Sequence, residues 1–126
     1  KPATAKDLYT SDLFAKERAY AERSGRPWFI LSAEHGLVDP EQVLAPYEAY
    51  LPAMPASYRR SWGNTVITQL ETVLGSLRGL TLEIHAGRPY VRSIQGGLLQ
   101  RGANVLLPLD GLRFGTRLRW YNEVGR

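Results

Sequence analysis

The chain of 126 residues contains no cysteine and only two histidines. Without cysteine there is no disulfide, no thiolate metal site and no cysteine nucleophile, an absence that fits a reducing cytosol. No apolar run approaches the roughly 20 residues that cross a bilayer, and no basic-then-apolar leader opens the sequence. A soluble cytoplasmic protein with no membrane partner is therefore expected. The phosphate-binding loop Gly-x-x-x-x-Gly-Lys-Ser/Thr is missing, which argues against a nucleotide triphosphatase. Ser32 lacks the flanking glycines of a hydrolase elbow. Neither histidine has a carboxylate at recognisable ligand spacing, so no metal and no cofactor are expected. Internal repeats and low-complexity segments are also lacking.

What is present has the size of one domain with one core, at 44% hydrophobic and 22% charged residues. Charge is unevenly spread: residues 1–57 carry six Lys/Arg against eight Asp/Glu, and residues 58–126 carry ten against four. All ten cations of the second stretch are arginines. A guanidinium is a planar fork of donors that suits phosphate, so DNA or another nucleic acid is a reasonable partner. A solvated, arginine-rich surface accounts for the same composition.

Ser11 or Thr10 can cap a helix over about residues 12–23, with Asp12 in its first turn and Gly25 as its stop. Pro27 to Leu31 is a short continuous apolar run, the pattern of a strand buried on both faces. Five residues between 36 and 55 are Gly or Pro (Gly36, Pro40, Pro46, Pro52, Pro55), which leaves room for one helical turn at Glu41–Leu44. Tyr58, Trp62, Val66, Leu70, Val73, Leu74 and Leu77 recur at helical spacing and predict a long helix over 58–77. Strands are expected at Leu80–Ile84 and Val105–Leu107, with a helix after Pro89 between them and a short terminal helix marked by Phe114, Leu118 and Tyr121. Gly96-Gly97 should weaken or bend the helix after Pro89. Strands alternating with helices predict a single α/β domain over residues 1–126, with a mainly parallel sheet flanked by helices.

In such sheets ligands bind beyond the carboxyl ends of the strands. The polar residues there are Ser32, Glu34 and His35, then His85 and Arg88, then Asp110 and Arg113. Ser32, His35, His85 and Arg88 are expected in one cleft. His35 and His85 can exchange protons near neutral pH, with Glu34 or Asp110 as an orienting carboxylate. Each histidine can equally serve as a hydrogen-bond partner for its loop. Gly87 and Arg88 ahead of Pro89 are placed to meet a phosphate. Arg113, Arg117 and Arg119, near Phe114, Trp120 and Tyr121, can grip a nucleic-acid backbone, or form a solvated face while the rings pack inward.

The segment Ile30-Leu31-Ser32-Ala33-Glu34-His35-Gly36-Leu37-Val38-Asp39-Pro40, followed by Leu44-Ala45-Pro46-Tyr47, resembles the YaaA family of peroxide-stress proteins. That family carries Leu-Ser-Gly-x-Tyr-Gly-x-x-x-Pro followed by Pro-Tyr-Arg. The resemblance extends to Trp62-Gly63 with Ile67 and Leu70, and to the stretch from Leu82 through Tyr90 to Ile94. Lys6 to Phe14 also resembles the opening of a group of short bacterial and phage domains. Ala33 stands where YaaA proteins have Gly, His35 where they have Tyr, and Glu48 where they have Arg. The resemblance implies a fold related to uracil-DNA glycosylases, a basic cleft, and action on DNA or on a nucleobase. Relative to those domains the chain is expected to lack a first strand.

Together these readings predict a nucleic-acid-binding protein that recognises a nucleobase and excises or modifies it, an N-glycosidase-like enzyme. Such chemistry needs rings around an unstacked base, contacts to its edge, and a group that activates water. Tyr9, Tyr47, Trp62 and Tyr90 are candidate rings, though helical spacing favours Trp62 and Tyr90 as core residues. Ser32 and His35 are candidate base contacts, with Arg88 for a phosphate and His85 or Asp110 for water. Two alternatives remain open: a noncatalytic DNA-binding stress-response protein, and an enzyme acting on a free nucleoside or nucleotide.

Overall fold

Ser11 and Gly25 bound the first long helix as their chemistry requires. The Ser11 Oγ accepts a hydrogen bond from the Phe14 N–H at 3.1 Å, and Gly25 takes a left-handed conformation at φ 69°. The structure, a computed structural model, describes residues 1–124, which form two compact units. Their elements are β1 (Ala3–Thr4), α1 (Ala5–Leu8), α2 (Asp12–Ser24), β2 (Ile30–Ser32), β3 (Gly36–Val38), β4 (Val43–Leu44), α3 (Ala56–Leu74), β5 (Thr81–Glu83), α4 (Arg88–Gln100), β6 (Asn104–Leu106) and α5 (Phe114–Val124). A short 3-10 turn at Leu51–Ala53 precedes α3. The class is α/β, and among the described residues no helix is long and apolar enough to cross a membrane.

Among the described residues, the first unit comprises 1–30, 38–47 and 109–124. In it β1 pairs antiparallel with β4, Ala3 opposite Leu44 and Thr4 opposite Val43. The helical turn expected at Glu41–Leu44 is thus a strand at Val43–Leu44, because the chain from Pro40 to Gln42 hydrogen-bonds back to Lys6 and Ala5 and carries the next residues alongside β1. Ala5, Ile30, Val38 and Leu44 form a small core against which Tyr9, Phe14, Trp28 and Tyr47 pack. A separate seam joins α2 to α5: the Tyr20 ring meets Trp120 at 5.3 Å and Tyr121 at 5.9 Å, and Lys16 donates to Asn122 at 2.6 Å.

The second unit comprises residues 31–37 and 48–108. It is built on β5–α4–β6, whose strands pair in parallel with Leu82 opposite Val105. Trp62, Val66, Ile67 and Leu70 of α3 join Ile94 and Leu98 of α4 in the larger core. The helix stops at Leu74 rather than at Leu77, since Gly75 adopts φ 78°, yet Leu77 remains buried beyond the turn. Val73, expected on the apolar stripe, is exposed. Helix α4 runs unbroken through Gly96 and Gly97. The missing side chain of Gly97 lets the Ile67 Cδ1 approach, and Gly63 likewise admits the Ser93 carbonyl.

Among the described residues, the single, mainly parallel sheet expected from the strand–helix alternation is corrected to three two-stranded ladders, β1–β4, β2–β3 and β5–β6, of which β5–β6 is parallel and β1–β4 antiparallel. The strands are two or three residues long. Each offers too few ladder hydrogen bonds to recruit further neighbours, and Leu106 on β6 is left half exposed where a broad parallel sheet would cover it.

Candidate functional site

The turn between β2 and β3 is held by more hydrogen bonds than its length requires. Ser32 is 1% exposed, and its Oγ accepts from the N–H of Glu34 at 3.3 Å and of His35 at 3.0 Å. Three side chains of α3 then fix the carbonyls. Trp62 Nε1 donates to the Ser32 oxygen at 2.7 Å, Tyr58 Oη to Ala33 at 2.7 Å, and Gln69 Nε2 to His35 at 3.2 Å. The Gln69 Oε1 also accepts from the Leu37 N–H at 2.7 Å. Tyr58, Trp62 and Gln69 are spaced four and seven residues apart, on one side of the helix. Gly36 must be glycine, since its φ is 78° and a Cβ would strike the Gln69 amide.

The bracing leaves two side chains facing outward. Glu34 and His35 are 49% and 36% exposed, with His35 Nε2 3.2 Å from Glu34 Oε2. Side chains carried on a turn whose backbone is fixed by hydrogen bonds are preorganised for recognition. Ser32 does not face outward: its hydroxyl is buried and accepts from two N–H groups, and it supports the turn.

Trp62 also links this turn to the start of α4, its ring meeting Tyr90 edge-on at 5.6 Å. Because the indole is buried and its N–H engaged, Trp62 is a strut and not a platform for a base. Between β5 and α4 lie His85 and Gly87, and α4 opens with the exposed Arg88. His85 Nε2 is 2.6 Å from Glu83 Oε2, with the side chains 14% and 18% exposed. The carboxylate beside His85 is therefore Glu83, while Glu34, expected beside one of the two histidines, adjoins His35. Residues two apart on an extended strand share a face, and that period was the available signal. Ser32, His35, His85, Arg88 and Tyr90 all belong to the second unit.

The remaining candidates belong to the first unit. The Tyr9 and Tyr47 hydroxyls hydrogen-bond to each other, and the Tyr9 ring lies 5.1 Å from Phe14, so both rings are committed to the small core. Asp110 is exposed in the loop before α5. Arg113 and Arg119 are exposed, whereas Arg117 is half-buried and its Nε donates to the Leu112 carbonyl at 3.0 Å, fastening the start of α5. A group with no sequence signal is Glu17 on α2. Burial pushes its carboxyl up to about 7, against the opposing pull of Arg117. Among the described residues no cluster of three or more His, Asp or Glu could hold a metal ion.

These features define an α/β protein with a braced polar turn and two carboxylate–histidine pairs in one compact unit. Residues 1–123 match a family described as a family of unknown function (DUF6884), and the chain belongs to that family. No curated protein and no solved structure matches the chain.

Proposed function

We propose that this protein recognises a nucleobase in DNA and excises or modifies it, with a fold related to the uracil-DNA glycosylases and kinship to the YaaA proteins. The observation that supports this reading is the braced turn, which carries the part-exposed His35 and the exposed Glu34 on a backbone fixed by Tyr58, Trp62 and Gln69. A rigid donor–acceptor pair of this kind suits the edge of a planar heterocycle, where orientation decides specificity. Tyr90 offers the neighbouring ring and Arg88 a guanidinium for a phosphate.

In hydrolytic excision the C–N bond breaks with its electron pair on the base, a water oxygen bonds to the sugar carbon, and the base takes up a proton. His85 would accept the proton of the attacking water, with Glu83 holding its ring and stabilising the imidazolium that forms. His35 would protonate the departing base. Incubating the protein with modified and unmodified DNA, and analysing the supernatant by mass spectrometry, tests the reading. A released base that disappears with His85→Gln is the expected result. No released base and no altered nucleoside in any substrate would remove the enzymatic reading.

A further inference from the structure

Helices α2 and α5 meet through a shallow seam. No residue of α2 is fully buried and only Tyr121 of α5 is, so the contact rests on Tyr20 against Trp120 and Tyr121 and on the Lys16 hydrogen bond to Asn122. Glu17 stands one turn before Tyr20 on the same side of α2. Its part-buried carboxyl makes no hydrogen bond and no ion pair among the described residues. The charged groups around it are committed elsewhere. On α2, Lys16 is turned to Asn122 and Arg18 to Glu22 and to Asp7 of α1, while Asp12 and Arg23 are exposed near the two ends. On α5, Arg119 and Glu123 are exposed, and Arg117 is the one charged group whose field acts on the carboxyl among the described residues. The Arg117 Nε is spent on the Leu112 carbonyl at 3.0 Å.

We propose that Glu17 is a proton-operated latch: the neutral acid lets α5 lie on α2, and its ionisation releases α5 while α3 and α4 stay folded. As a neutral acid the side chain sits in the seam without a charge to solvate. Once ionised it is a part-buried anion with no donor bonded to it, and water reaches it most directly when α5 lifts. Opening is local because it gives up only the ring contacts and the Lys16 hydrogen bond, whereas α3 and α4 are tied into the larger core. Burial sets the working range, since it pushes the carboxyl up to about 7 from its ordinary value of 4.5. Docking is complete below that window, weakens as pH rises through it and levels off above. Release uncovers the Tyr121 ring, which is buried in the docked state. The inference does not depend on the nucleobase reading.

The test is hydrogen–deuterium exchange read by peptide-resolved mass spectrometry, from about pH 5 to about pH 8.5, with each rate corrected for intrinsic exchange at that pH. It compares wild type, Glu17→Gln and Glu17→Met, the last two being side chains of similar length that cannot ionise. In the wild type, protection of the α5 amides should fall roughly 10-fold or more across the range while α3 and α4 keep theirs. Both variants should hold α5 equally protected at every pH. Wild-type α5 protection that does not change with pH overturns the latch. A fall shared equally by α3 and α4 also overturns it, because the pH effect is then global unfolding. Variants whose α5 loses protection with pH as the wild type does overturn Glu17 as the group responsible.

Discussion

A buried hydroxyl must find partners inside the protein, and Ser32 finds the N–H groups of Glu34 and His35. Its chemistry is therefore structural, while that of His35, three residues on, is directed outward. The pair makes a discriminating prediction. Ser32→Ala leaves two amides without their acceptor and should lower stability by about 2 kcal/mol, read as a drop in melting temperature. His35→Gln keeps a polar side chain at a part-exposed position and should leave the melting temperature nearly unchanged, while base release falls roughly 10²- to 10⁴-fold. Full activity in the folded His35→Gln protein would eliminate His35 as a catalytic group. At this scale the sequence is informative about residue type and silent about partner. Ser32, His35 and His85 stand out from position alone, whereas the engagement of Ser32, and the bracing by Tyr58 and Gln69 from more than twenty residues away, exist only once α3 is docked.

At the scale of elements, periodicity carries what can be read. The helices α2, α3 and α4 and the strands β5 and β6 lie within a few residues of where apolar spacing, a capping Ser and the glycine stops place them. Strands β1 and β4 have two residues each and no period to detect. They exist because they pair with each other across some forty residues. The glycines of α3 and α4 divide in the same way, since propensity penalises them all and only tertiary contact separates them. Gly96 faces open space, so Gly96→Ala should stabilise α4 by up to about 1 kcal/mol. Gly63→Ala would drive a methyl into the Ser93 backbone carbonyl, an obstacle that no rotamer change removes. It should cost about 2 kcal/mol net of the propensity gain. Opposite shifts in the chemical-denaturation midpoint of the two variants are the expected result. Equal shifts would mean that the close approach of α3 and α4 does not limit packing at that point.

For the whole molecule, composition locates the charge and not its state. The excess of arginine after residue 57 is plain in the sequence, but nothing there singles out Glu17 from the other eleven acidic residues. Burial on α2 does so, pushing its carboxyl up to about 7 from its ordinary value of 4.5. Between those two values the folded protein holds a proton that the unfolded chain has released. Stability therefore falls as pH rises through this window and levels off above it. The full difference corresponds to roughly 3 kcal/mol, or about 10 °C in melting temperature for a chain of this size. Asp7 acts in the opposite sense. The Thr4 hydroxyl and the Arg18 guanidinium lower its carboxyl below the ordinary value of 3.8, so its contribution is present above that value and is lost as pH falls through the lowered one. Of these two groups, Asp7 favours the folded state above its lowered value, and Glu17 opposes it increasingly as pH rises toward 7. Glu17→Gln, which cannot ionise, should flatten the decline between pH 4.5 and 7 and melt above the wild type in mildly alkaline buffer, while matching it more closely near the acidic end. Differential scanning calorimetry of both proteins across that range makes the comparison, and parallel curves for the two would show that Glu17 is not the group whose ionisation opposes folding.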